Sequence, residues 1–173
     1  MKVINLFAAP GTGKSTTAAG LFFLMKHAGF KVELVTEYAK QMVWDERHNI
    51  FTDQLYITAK QNRCLERLRG KVDYAITDSP LLLALIYKPD SYYPSFLNLL
   101  KELWFSYDNM NFLLHRVKPY HKLGRNQTEA ESDDIQKKLA LMLTMSMLHY
   151  VDVPADRNAP QIIFDTIKQN SVI

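Results

Sequence analysis

Cysteine is nearly absent from this chain. Cys64 is the only one in 173 residues, so no internal disulfide can form, and no partner stands at the C-x-x-C or H-x-x-H spacing of a metal site. Cys64 reads as a small apolar group on a helix. Apolar runs long enough to span a bilayer are missing as well, so no membrane partner is expected. The opening MKVINLF enters a glycine-bearing loop without a cleavable apolar segment, and the expected compartment is the cytoplasm. Strong net charge is also lacking: 21 Lys and Arg against 18 Asp and Glu leave +3, which suits an anionic ligand but is too mild to establish nucleic-acid binding. There is no internal repeat, no low-complexity tract and no N-K-x-D guanine signature.

What is present alternates. An apolar run (Val3 to Phe7), a glycine-bearing loop, a helical stretch (Lys14 to His27) stopped by Gly29, and a second apolar run (Val32 to Val35) form the strand–helix–strand unit of a parallel sheet. Helices are expected over Glu37 to Arg47 and Phe51 to Arg69, the latter ended by Gly70. A third strand, VDYAITDSP, should end at Thr77 or Asp78 because Pro80 blocks its continuation. A helix over Pro94 to Trp104 leads to a fourth strand, Met110 to Val117. The polar stretch KPYHKLGRNQTEAESDD reads as a flap or lid over about 117–133. A helix (Asp133 to Leu148), a short fifth strand (His149 to Val153) and a closing helix (Ala159 to Gln169) complete an α/β chain whose length suits one domain, residues 1–173.

The stretch APGTGKST has the G-x-x-x-x-G-K-[ST] spacing with Ala8 at the first glycine position. Backbone N–H groups over Ala9, Pro10, Gly11, Thr12, Gly13, Lys14, Ser15 and Thr16 would wrap phosphate oxygens, apart from Pro10, which has no N–H. Lys14 would reach the outer phosphates and Ser15 would hold Mg²⁺. The helix that follows points its N-terminus at the same anion. Alanine at position 8 fits if that residue keeps a negative φ.

Ligands of open parallel sheets bind beyond the carboxyl ends of the strands, and here each of the first four ends carries charge: the loop after strand one, Glu37 after strand two, Asp78 after strand three, Arg116 and Lys118 after strand four. Asp78 suits Mg²⁺ together with Ser15. Its followers, Ser79 and Pro80, lack the glutamate that water-activating ATPases place there. Glu37 can accept the proton of an attacking hydroxyl; the alternative is a solvated glutamate in the first turn of a helix. Arg116, Lys118, Lys122 and Arg125 can spread positive charge over a transferring phosphate.

The phosphate loop, LVTEYAKQMVW, DQLYITAKQNRCLER, ITDSP and a basic flap before a long helix resemble, in that order, P-loop small-molecule kinases. The nearest types are deoxynucleoside kinases, bacterial ribosylnicotinamide kinases and small phage-encoded P-loop kinases. The resemblance implies a P-loop fold with a five-stranded parallel sheet flanked by helices. It implies Glu37 as base toward a sugar hydroxyl, and Gln54 or Gln61 as reader of a nucleobase edge; Tyr38, next to Glu37, is expected as a further substrate contact. Asp78-Ser79-Pro80 departs from the D/E-R-S motif of those kinases.

The expected activity is transfer of the ATP γ-phosphate, with Mg²⁺, to a hydroxyl of a nucleoside, nucleotide or related small molecule. The catalytic set would be Glu37, Lys14, Asp78, Arg116 and Arg125; a homodimer is compatible with this reading. Gln54, Thr58 and Gln61 form a polar line on one helix, able to hydrogen-bond a heterocycle. Beside it the basic line Lys60, Arg63 and Arg67 raises a second reading, phosphorylation of a hydroxymethylated pyrimidine in DNA. A nucleotide-driven switch is disfavoured by Leu81 at the glycine position of D-x-x-G. A non-catalytic nucleotide binder would leave Lys14 or Asp78 idle.

Overall fold

The computed structural model describes residues 1–46, 48–121 and 127–171. Five strands, β1 (Lys2–Phe7), β2 (Val32–Val35), β3 (Tyr74–Thr77), β4 (Asp108–His115) and β5 (Val151–Pro154), form one sheet in the order β2-β3-β1-β4-β5. Every neighbouring pair is parallel. β1 lies in the middle and is buried on both faces, which is why it reads as a nearly continuous apolar run. Its side chains alternate: Val3 and Phe7 enter one core cluster, Ile4 and Leu6 the other.

The first cluster lies under α3 (Gln54–Glu66), α5 (Phe96–Phe105) and α6 (Glu129–Met145), with Leu65, Leu100, Trp104, Leu139 and Leu143 packed toward the sheet. On the other face α1 (Lys14–His27) and α7 (Ala159–Ser171) bury Leu21, Met25, Ile163 and Ile167. Asn5 is a polar intruder in β1, and Nδ2 donates to Asn109 Oδ1 at 2.9 Å and Asn111 Oδ1 at 3.1 Å. Buried amides are tolerated because they are paired.

Several boundaries differ from the sequence expectation, each for a local reason. The helix expected from Phe51 divides into a 3₁₀ turn (His48–Thr52) and α3, because the Asp53 carboxylate accepts the Tyr56 N–H at 3.0 Å and caps a new start. Past Asp78 the run LLLALIY forms a 3₁₀ turn (Leu81–Leu83) and a one-turn helix α4 (Ala84–Tyr87). That run is apolar throughout, so no period marks it. α6 begins at Glu129, not Asp133, because Thr128 and Glu131 form a reciprocal capping box. The expected lid is thereby shortened at its end, and residues 122–126 lie outside the described residues. β4 starts at Asp108, in register with Lys2, and stops at His115. Among the described residues no helix is long and apolar enough to cross a membrane.

Candidate active site at the carboxyl ends of the strands

The loop after β1 is a preformed cradle. Gly11 and Gly13 take φ of 82° and 121°, values an L side chain resists, whereas the only non-glycine residues with positive φ among those described are Glu46 and Met147. Ala8 therefore sits where alanine is at ease; it is fully buried. Lys14 Nζ donates to the carbonyls of Ala8 at 2.8 Å and Ala9 at 3.3 Å, folding the side chain over the loop.

The outer edge of the cradle is braced by α6. Gln136 Oε1 accepts the Ala9 N–H at 2.9 Å, and its Nε2 donates to Leu114 O at 3.1 Å. Ser132 Oγ donates to Pro10 O at 2.7 Å. Sequence reading missed both residues, since the polar positions of an exposed-looking helix start carry no signal for a contact made more than 120 residues away.

Asp78 follows β3, is almost wholly buried, and accepts the Ser15 hydroxyl on Oδ2 at 2.6 Å. Its Oδ1 is buried without a hydrogen-bond partner. A buried, orphaned carboxylate oxygen costs free energy unless a cation or water completes it. The pair thus fits Mg²⁺, a hard ion satisfied by few protein oxygens and the oxygens of a bound phosphate. Among the described residues no group of three His, Cys, Asp or Glu side chains is arranged to hold a metal by itself.

Glu37 leaves β2 at the capping position of α2 (Tyr38–Trp44), with φ −64° and ψ 116°, yet its side chain makes no cap hydrogen bond. Instead it lines a cavity of about 550 Å³ together with Gly11, Gly13, Lys14, Ser15 and Thr16 of the cradle. A smaller recess next to it joins Ser15, Glu37 and Asp78. Burial holds the Glu37 carboxyl above the ordinary carboxylate range; Asp78 pushes the same way, while Lys14 and Lys40 pull against it. Tyr87, on the same cavity wall, is held well above the usual phenol range by burial and by the charge of Glu37, so its hydroxyl stays protonated.

The far part of the cavity is walled by Trp44, Phe51, Ile57, Leu81, Leu83 and Ala84. Gln54 lines it, and its Nε2 is used by Phe51 O at 2.8 Å, leaving the Oε1 side of the amide for a ligand. Thr58 lines it too, with a buried Oγ1 that has no partner. Sequence reading underused Trp44, Phe51 and Tyr87, because an aromatic side chain carries no mark of facing a cavity rather than a core.

Three expectations meet a different geometry. Gln61 reaches the cavity wall, but its amide is engaged on both ends: Oε1 accepts the Tyr38 N–H at 3.0 Å, and Nε2 donates to Thr36 O and Thr77 Oγ1, each at 3.3 Å. It is not placed to read a substrate. Tyr38 turns away from the cavity, its hydroxyl 3.1 Å from that of Tyr56 and the two rings edge to face, because the first residue of α2 points toward α3 rather than over the loop. Arg116 is occupied at the start of α6, paired with Glu129 at 3.0 Å and with Asp133, and lies over the Tyr120 ring. Two carboxylates drawn in by the capped start of α6 outbid the cradle for this guanidinium. Arg125 and Lys122 lie outside the described residues.

Comparison with solved structures finds the same fold in deoxyadenosine kinase from M. mycoides. A structure described as holding the products dCMP and a flexible dCDP has a TM-score of 0.63 at 18% identity, covering 98% of this chain and 100% of that one. A structure with bound dATP has a TM-score of 0.60 at 16% identity, with both chains covered completely. A search of curated proteins gave no significant match. The two molecules thus share the P-loop fold, which in this chain is built on the five-stranded parallel sheet. The family model described as AAA domain (AAA_28) matches residues 3–159, from the first buried residue of β1 to the first residue of α7, and the chain belongs to that family.

Proposed function

We propose that this protein is an ATP-dependent kinase that moves the γ-phosphate to a hydroxyl of a nucleoside, nucleotide or related small molecule. The observation that carries the reading is the meeting of Glu37 with Lys14 and Ser15 around one cavity and with Ser15 and Asp78 around the recess beside it. A carboxylate beside a phosphate cradle repels its ligand unless it has work to do, and taking a proton is that work. In this reading Glu37 accepts the hydroxyl proton as the acceptor oxygen bonds to the γ-phosphorus. The bond to the β-bridging oxygen breaks, and ADP leaves. Lys14 releases the carbonyls of Ala8 and Ala9 and places its ammonium against the phosphate oxygens, while loop N–H groups hold them from beneath. Ser15 and Asp78 would hold Mg²⁺, which when bound neutralises charge developing on the phosphates. The apolar far wall, with Gln54 and Thr58 as its polar points, suits a single heterocycle, and the likeness to a deoxyadenosine kinase supports the same class.

The test is incubation with γ-labelled ATP and a panel of nucleosides, nucleotides, ribosylnicotinamide and hydroxymethylpyrimidine-containing DNA. Label on a small hydroxyl compound is the expected result. Label on DNA alone would establish the polymer reading, in which the pyrimidine enters the cavity as an extruded base. Label appearing only as inorganic phosphate, at a rate no acceptor changes, would overturn the kinase in favour of a nucleotide-driven switch.

A further inference from the structure

We propose that Gln61 is the positioning residue for Glu37: its amide grips the two peptide groups on either side of that residue and so fixes the direction in which the carboxylate enters the cavity. The inference rests on the reading of Glu37 as the base. Thr36 C=O belongs to the peptide before the Glu37 Cα and Tyr38 N–H to the peptide after it, and Gln61 bonds both, at 3.3 and 3.0 Å. Once the two planes flanking a Cα are held, φ and ψ are set, and with them the Cα–Cβ direction. The orientation of the amide is dictated by its neighbours, since an N–H needs the oxygen and a carbonyl needs the NH₂.

A second consequence concerns the helix start. Tyr38 carries the first orphan N–H of α2, and Gln61 supplies its acceptor from another element, while Glu37 spends no oxygen on capping. The carboxylate is left for the cavity. The third bond extends the arrangement to the other acidic residue: Gln61 Nε2 donates to Thr77 Oγ1, which also accepts the Ser79 N–H at 3.1 Å. Thr77 and Ser79 flank Asp78. One buried amide on α3 therefore ties together the two strand ends that carry Glu37 and Asp78. Gln61 is only 3% exposed, so water does not compete for these bonds.

The experiment uses the full chain with Gln61→Met, which keeps the length and removes all three bonds. The Glu37 carboxyl is followed by NMR titration, assigned through Glu37→Gln. In the wild type it titrates above the ordinary carboxylate range, and in Q61M it returns toward that range as the side chain swings into solvent. With the best acceptor of the panel, turnover falls roughly 10- to 100-fold, the cost of a misplaced reacting group, while the KM for ATP stays within about twofold. In the E37Q background the same substitution costs less than about twofold, because a residue acting through another has nothing left to act on. An unmoved titration in folded Q61M would overturn the proposal, as would a loss that adds in full to that of E37Q. Should Q61M not fold, Q61L also removes all three bonds without adding a charge beside Glu37 and takes the same measurements. Wild-type transfer by E37Q would sink the base reading instead, and the titration would still decide the clamp.

Discussion

At the scale of single residues, Glu37 concentrates the physics of the site. Its carboxyl is held above the ordinary range chiefly by burial, beside Asp78 and against the pull of Lys14 and Lys40. Glu37→Gln keeps the shape of the side chain and removes the proton acceptor, so ATP binding should survive while transfer falls by roughly 10²–10⁴-fold, measured by labelled product under saturating ATP. The wild-type rate should rise with pH through an apparent pKa above 4.5, the ordinary value for this group, as Glu37 ionises; a profile flat across that limb would remove Glu37 from the chemistry. Stability runs the opposite way. A carboxyl whose folded pKa is raised binds its proton more tightly in the native state, so stability is highest below the unfolded value and declines as pH climbs through the folded one. E37Q should therefore melt at a higher temperature than the wild type at pH 7, with the gap closing as pH falls toward 4.5, as thermal scans across that range will read. Lys14, Ser15 and Asp78 were legible in sequence because loop spacing and strand ends fix them locally. Gln61 was legible only as polar and near the site, since its true partners, Thr36, Tyr38 and Thr77, lie 16 to 25 positions away and are backbone or hydroxyl groups. The same holds for Arg116, whose partners on α6 come from beyond the loop.

At the scale of elements, the β1–loop–α1 unit was read almost to the residue, because strand, turn and helix chemistry are all written within thirty positions. The leucine run after Asp78 was not, for a segment that is apolar at every position has neither a 2.0 nor a 3.6 period to betray it. The start of α6 was written in the sequence as T-x-x-E and passed over within a polar stretch; its consequence is large, since Ser132 and Gln136 on its first turns hold the phosphate loop. Packing between elements leaves no such trace. Gly20 on α1 faces α7, and a Cβ there would lie 2.7 Å from Pro160 Cγ. A proline ring cannot swing aside, so the two helices must separate. Gly20→Ala gains about 1 kcal/mol of helix propensity but meets an overpacking cost of about 1–3 kcal/mol. The net expectation is a chain destabilised by up to about 2 kcal/mol in urea titration, with α1 displaced from α7. A higher midpoint would mean the helices are less closely seated than these distances require.

Across the whole molecule, the sheet is sealed on both faces by separate core clusters, yet the cavity at its carboxyl edge is bounded by short elements. The cradle, α2, the 3₁₀ turn before α3, α3 itself, the turn after β3 and α4 all contribute to its wall. Two of those elements, α2 and α4, are only two turns or less, and helices this short owe their order to what they pack against rather than to propensity. Filling the cavity should therefore hold α2, none of whose residues joins either core cluster, against the cradle, α3 and α4. A ligand that binds only the folded chain stabilises it by about 2.7 kcal/mol at a hundred times its Kd. For a chain of this size each kcal/mol moves Tm by about 2–4 °C, so a non-hydrolysable ATP analogue with Mg²⁺ should raise Tm by roughly 5–10 °C. Lys14→Met should abolish most of that rise, because the ammonium that would meet the outer phosphate oxygens is gone. Omitting Mg²⁺ should diminish it, and Asp78→Asn should make the presence of Mg²⁺ matter less, since the anionic oxygen suited to the ion is gone. A Tm indifferent to nucleotide at saturating concentration would mean that the cradle, though shaped for phosphate, does not hold it, and the reading of the cavity as a nucleotide site would fall with it.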